Sequence, residues 1–134
     1  MAKINKINHI GIVVSDIDGA LNFWQEALGL KLDHIEVVPG QKSEVAFLPA
    51  GESEIELVKP TSDDSGVGKF LREHGSGMHH LCLEVDNIEE MLAELKNKGI
   101  RLINETPLIM EGRKAAFIHP KSASGVLVEL YQLI

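Results

Sequence analysis

The chain has 134 residues, of which 44% are hydrophobic and 25% charged, and its formal net charge is -7. This length and composition are typical of one globular domain, here taken as residues 1–134. The acidic balance argues against a nucleic-acid-binding surface, and no apolar run approaches the roughly 18 residues that a membrane-spanning helix needs.

The N-terminus leads into a predicted strand without the apolar core of a signal peptide. The single cysteine, Cys82, lies in an apolar strand, and we interpret it as a small buried side chain in a reducing compartment. Together these features predict a cytoplasmic protein.

The first module, about residues 4–60, predicts a strand, a helix and three more strands. The helix is expected to begin after Asp16, a suitable N-cap, and to end at Gly29, with apolar residues recurring at helical spacing between them. Short apolar and β-branched runs bounded by turn signals predict the strands at 6–14, 30–38, 43–48 and 53–59.

A polar linker over about residues 61–76, with a short helix predicted at 67–73, precedes a second module at about 77–134. The second module repeats the plan, with a helix at 87–98 and strands at 79–85, 100–104, 113–119 and 126–132. The order is therefore βαβββ twice. This order favours an α+β fold with a mixed or antiparallel sheet and helices on one face.

Each module carries a histidine in its opening strand and a glutamate in its closing strand. His9 and His80 are 71 residues apart, and Glu56 and Glu129 are 73 apart. Two modules that pack against each other would bring these four side chains together. Neutral imidazole and carboxylate are the ligands of Zn²⁺, Ni²⁺, Co²⁺, Fe²⁺ or Mn²⁺, so the repeat predicts a divalent metal site.

Each of these residues also has an ordinary interpretation when it is taken alone. A single strand histidine is commonly structural, and Glu56 could lie on the solvent side of its strand, since Glu54 alternates equally well. His79 and His80 point to opposite faces of one strand, so only one can enter a site. The repeat selects His80.

The two modules differ where Glu44 of the first corresponds to Lys114 of the second. A carboxylate beside a metal but not bound to it is suited to general base catalysis, whereas an ordinary exposed strand glutamate is the alternative. The loop at 121–125 is either a solvated turn or a contact for phosphate or carboxylate groups, with Arg113 and Lys114 adding positive charge.

Three segments resemble the vicinal-oxygen-chelate superfamily (glyoxalase, bleomycin-resistance and dioxygenase proteins) and, within it, the family of methylmalonyl-CoA epimerases. They are Ile7–Val14, Gly77–Asp86 and His119–Leu130, and the His-Pro-Lys-Ser run of the third is the most distinctive. The resemblance covers nearly the whole chain. It implies a curved mixed sheet around a metal site, with the helices outside.

The resemblance further implies metal ligands at His9, Glu56, His80 and Glu129, with Co²⁺ the favoured ion. It implies metal-dependent epimerisation of methylmalonyl-CoA by proton transfer at C2 through an enolate, with Glu44 and Glu129 as the acid–base pair. Coenzyme A is expected to contact Lys121 and Ser122. The implied partners are an acyl-CoA substrate and a second copy in a homodimer, without nucleic acid or membrane.

Two other functions remain open at this point. Some epimerases have Gln where this chain has Glu56, and the set of two histidines and two glutamates is also expected of bacterial glyoxalase I, an isomerase of thiol adducts of methylglyoxal. Other members of the superfamily are metal-free modules that bind small molecules.

Overall fold

The order βαβββ occurs twice in the computed structural model, which describes all residues 1–134. Residues divide into two compact units. One, unit A, comprises Met1–Asn8 and His80–Ile134, and the other, unit B, comprises His9–His79. None of the helices has the length and apolar character needed to cross a membrane.

Unit B contains the first module from His9 onward and the linker helix, while residues 4–8 of the first strand belong to unit A. Its strands lie in the order β2-β3-β4-β1, with β2–β3 and β3–β4 antiparallel and β4–β1 parallel. The helix α1 begins after the N-cap Asp16, whose side chain accepts a hydrogen bond from the Gly19 amide. The bounds are β1 Ile4–Val13, α1 Ile17–Leu21 continuing as a π-helix Asn22–Ala27, β2 His34–Val38, β3 Ser43–Ala50, β4 Ser53–Pro60 and α2 Gly66–His74.

The two faces of the unit B sheet bury different apolar clusters. Ala46, Leu48 and Leu57 pack with α1 on one face. Val45 and Val58 pack on the other face with residues of α2. Since side chains alternate along a strand, this division assigns each position of β3 and β4 to a face.

Unit A contains the second module, with strands in the order β5-β8-β7-β6. β5–β8 is parallel, and β8–β7 and β7–β6 are antiparallel. The apolar face of α3 packs on Ala116, Ile118, Val128 and Leu130. The bounds are β5 Gly77–Val85, α3 Ile88–Asn97, β6 Leu108–Met110, β7 Arg113–Ile118 and β8 Val128–Leu133.

The N-terminal residues belong to unit A because hydrogen bonds hold them there. Lys3 exchanges two such bonds with Asp86, one from its amide to the carboxylate and one from the Asp86 amide to its carbonyl. The Ala2 amide donates to Glu94, and the Asn8 side chain donates to Glu84. The module boundaries of the sequence therefore differ from those of the compact units, and a single domain over 1–134 stays a prediction.

The α+β class and the doubled βαβββ order are confirmed, with two differences in detail. The strand predicted at 30–38 begins only at His34, because residues 30 and 32 pack in the α1 core. The strand predicted at 100–104 is reduced to one bridge between Leu102 and Ile118. There the Phe117 amide donates its hydrogen bond to the side chain of Asn104 in place of a backbone carbonyl of a neighbouring strand. The strand that pairs with this part of the module is β6 instead.

Candidate active-site residues

In unit B, the predicted ligands His9 and Glu56 lie on one face of the β1–β4 pair. His9 Nδ1 lies 3.2 Å from Glu56 Oε2, with the two side chains 1% and 14% exposed. On β1, Gly11 lies directly opposite Glu56. His9 is two residues before Gly11 and lies on the same face, so its ring approaches Glu56 from the adjacent position on the strand. The alternative that Glu56 is a solvent-side glutamate does not hold.

In unit A, His80 and Glu129 form the matching pair. His80 Nε2 lies 3.4 Å from Glu129 Oε1, and the side chains are 12% and 3% exposed. A carboxylate so deeply buried needs hydrogen bonds or a cation to offset the loss of hydration. The burial of this pair therefore indicates either a closely hydrogen-bonded polar pair or a binding site for a cation.

Cys82 joins this pair, which the sequence interpretation did not anticipate. It is buried and forms no disulfide, and it is also the register partner of Glu129. Potential ligand atoms of Cys82 and Glu129 lie within 4.8 Å of each other. Its position in the sequence could have indicated this, because Cys82 is two residues after His80 and both side chains therefore lie on one face of β5.

An aromatic ring accompanies the glutamate in each unit. Phe47 is the cross-strand partner of Glu56, and Phe117 is the partner of Glu129. The rings of His80 and Phe117 meet edge to face, with centroids 6.5 Å apart. These apolar neighbours reduce hydration of the carboxylates and strengthen electrostatic interactions with them.

The donor chemistry of the two pairs fits a divalent ion. Each unit offers one imidazole and one carboxylate, which suit borderline and hard divalent metals. The buried carboxylates would be stabilised by a positive charge.

Glu44 is half-buried on β3 and does not share a face with Glu56. The register pairs Glu44 with Val37 and Lys59, while Phe47 pairs with Glu56. Alternation then places Glu44 on the side of Ala46, which packs with α1. In this register β3 does not bring Glu44 toward the His9–Glu56 pair.

The predicted coenzyme A contacts lie in a 3₁₀ turn that follows β7. Lys121 is exposed, and Ser122 Oγ accepts a hydrogen bond from the Arg101 amide at 2.9 Å. His119 accepts a hydrogen bond from the Lys121 amide. Partial burial lowers the pKa of His119, and the positive charges of Arg101 and Lys121 lower it further.

His79 packs against an aromatic ring of α2. Its ring meets the ring of Phe70 edge to face, with centroids 5.0 Å apart. Burial lowers the pKa of His79, because the charged imidazolium would lose hydration. It therefore belongs to the packing under α2.

Comparison with known families identifies the same superfamily that the motifs indicate. Residues 8–117 match the Glyoxalase/Bleomycin resistance protein/Dioxygenase superfamily. The mitochondrial methylmalonyl-CoA epimerase of Mus musculus is 37% identical over 132 residues, which cover 97% of this chain and 74% of the mouse protein.

Solved structures agree with that comparison. A hypothetical protein of Bacillus halodurans C-125 superposes with a TM-score of 0.93 at 43% identity, covering 98% of this chain and 96% of the other. A methylmalonyl-CoA epimerase in complex with methylmalonyl-CoA and NH4+ superposes with a TM-score of 0.87 at 32% identity, covering 98% and 96%. The chain therefore shares the fold of these proteins along nearly its whole length.

Proposed function

Because the chain belongs to the Glyoxalase/Bleomycin resistance protein/Dioxygenase superfamily, and resembles methylmalonyl-CoA epimerases over almost all of its length, we propose that it is an enzyme that epimerises methylmalonyl-CoA at C2. The observation that carries the proposal is the buried imidazole–carboxylate pair in each unit. The hydrogen on C2 is weakly acidic, since it lies between a thioester and a carboxylate. Its removal therefore requires a positioned base and stabilisation of the charge that develops on oxygen.

We assign His9, Glu56, His80 and Glu129 as the ligands of a divalent ion, with Co²⁺ the favoured metal. Their residue types and the burial of each pair support this assignment. A divalent ion bound there supplies Lewis acidity toward the carbonyl and carboxylate oxygens of the substrate.

Glu129 and Glu44 are proposed to move the proton. One carboxylate removes the C2 proton and leaves an enolate, and the other, starting as a carboxylic acid, returns a proton to the opposite face. The substrate proton count is unchanged, and the two glutamates have exchanged protonation states, which solvent restores. Burial beside His80 and Phe117 supports Glu129 in this role, whereas Glu44 is assigned from the family resemblance.

The coenzyme A moiety is proposed to meet Lys121 and Ser122 at the turn after β7. Its phosphates are polyanionic, and the overall charge of the chain is -7, so binding requires a local positive region. Arg101 and Lys121 supply that region beside His119. We further propose that the protein is a homodimer and that it is cytoplasmic.

The test is deuterium incorporation from D₂O into one pure epimer of methylmalonyl-CoA, with the protein loaded with Co²⁺. We expect deuterium at C2 and formation of the other epimer. His80→Ala should lose both activities, while His74→Ala, an exposed histidine of α2, should retain them. Absence of deuterium at C2, together with isomerisation of a methylglyoxal–thiol adduct, would show a glyoxalase. A chain that takes up no divalent ion and binds small molecules equally well after His80→Ala would be a binding module.

A further inference from the structure

Two adjacent cations begin β7, and they lie on opposite faces of the strand. Lys114 Nζ lies 2.7 Å from Glu89 Oε2, so its charge is paired with the first turn of α3. Arg113 alternates to the other face, which also carries Phe117 and, across the β7–β8 pair, Glu129. Only Arg113 therefore shares a face with the buried carboxylate.

The Arg113 side chain leans along that face toward Glu129. Its guanidinium carbon lies 5.2 Å from the centroid of the Tyr131 ring. Tyr131 and Glu129 are two residues apart on β8, about 7 Å along one face of a strand. The cation thus lies one side-chain position from the proposed acid–base residue.

One buried donor of the Arg113 guanidinium has no partner within the protein. The Nε of Arg113 is buried and donates to no protein atom. A guanidinium stays charged at all relevant pH values, and a buried donor without an acceptor is unfavourable. A planar oxyanion is the group that its fork of N–H donors matches best.

We propose that Arg113 binds the free carboxylate of the acyl group and so selects acyl-CoA substrates that carry one. This inference rests on the proposed function. The carboxylate is attached directly to C2. Bringing C2 to Glu129 therefore leaves the carboxylate within reach of a cation one side-chain position away.

The test compares the binding of malonyl-CoA, which has the carboxylate, with that of propionyl-CoA, which lacks it, by titration calorimetry on the Co²⁺-loaded protein. In Arg113→Met we expect the affinity for malonyl-CoA to fall about 10- to 100-fold, the usual effect of losing a charge-assisted hydrogen bond. The affinity for propionyl-CoA should change less than about threefold, within the range of a surface substitution. Arg113→Lys keeps the charge but loses the forked N–H donors. Its affinity for malonyl-CoA should lie between those of the wild type and Arg113→Met.

Lys114→Met is the matched control, since it removes the neighbouring cation on the other face, and it should keep the preference for malonyl-CoA. Unchanged propionyl-CoA binding shows that the Arg113 variant is folded. An equal loss for both ligands and for coenzyme A itself would place Arg113 at a phosphate and overturn the proposal, as would no loss at all. If the preference depends on Arg113 but wild-type protein exchanges no deuterium at C2, the carboxylate site stands and the epimerase function fails.

Discussion

Phe47 lies opposite Glu56 in the β3–β4 ladder, and this pairing sets the face of every other side chain on β3. Val45 shares the face of Glu56, whereas Glu44 falls on the face that packs with α1. The family resemblance nevertheless assigns proton transfer to Glu44. The register therefore predicts that a substitution of Glu44 leaves epimerisation unchanged, whereas the family resemblance predicts that it reduces epimerisation.

We predict that Glu44→Gln strongly reduces epimerisation but keeps deuterium exchange for one epimer of methylmalonyl-CoA. The remaining carboxylate, Glu129, can still remove a proton and return a deuteron on its own face, which leaves the configuration unchanged. Epimerisation should fall about 10²- to 10⁴-fold, the usual contribution of a general acid or base. Chiral chromatography measures the epimers, and mass spectrometry measures the deuterium.

Glu26→Gln provides the control for this experiment, because Glu26 is exposed on the π-helical turn after α1. It should leave both rates unchanged. Epimerisation at the wild-type rate by Glu44→Gln would remove this residue from the mechanism and agree with the face that the register gives it.

Metal affinity should depend on one glutamate from each unit. Glu56→Gln and Glu129→Gln each replace a proposed anionic ligand by a neutral amide, which leaves two imidazoles and one carboxylate to bind the divalent ion. We expect the Co²⁺ affinity to fall more than about 100-fold in either variant, since even loss of a residue that orients a ligand costs about 10- to 100-fold. Titration calorimetry with Co²⁺ measures this change.

The exposed Glu73 of α2 gives a matched control, and Glu73→Gln should bind Co²⁺ as the wild type does. Loss of affinity in Glu129→Gln alone would show that the negative charge of Glu56 does not contribute to binding of the ion. Loss in neither variant would refute the metal site.

The sequence predicts the paired histidines and glutamates because a repeated βαβββ order places corresponding residues at corresponding strand positions. Strand bounds are less predictable, since the bridge at Leu102 depends on a side-chain bond from Asn104 to a distant strand. Face assignment is the least predictable feature. Arg113 and Lys114 are equivalent as charges in the sequence, and only the β7–β8 register separates them.

The Lys114–Glu89 ion pair should contribute modestly to stability and only above acidic pH. The hydrogen bond from Lys114 lowers the pKa of Glu89 below its ordinary value of 4.5. A carboxyl whose pKa is lowered by folding stabilises the folded state above that ordinary value, and the contribution disappears as pH falls through the folded pKa. Lys114→Met should therefore reduce the free energy of unfolding by less than about 1 kcal/mol at pH 7, because the pair is partly exposed.

Urea denaturation at pH 7 and near pH 3 measures this difference between Lys114→Met and the wild type. It should shrink at the lower pH. A difference that stays constant or grows on acidification would show that Lys114 stabilises the fold by packing of its aliphatic stem instead of by its charge.

Gly68 should tolerate a methyl group poorly although it lies in a helix. Alanine normally stabilises a helix relative to glycine by about 1 kcal/mol. At Gly68, however, a Cβ would overlap the backbone carbonyl oxygen of Ser62, which cannot move without displacing the turn before α2. We expect Gly68→Ala to lower the free energy of unfolding by about 1–3 kcal/mol, as overpacking does. Gly66→Ala, in the same helix with open space around its Cβ position, should be neutral or stabilising. Urea denaturation measures both variants. An equal increase in the free energy of unfolding for both would contradict the close contact between Gly68 and Ser62.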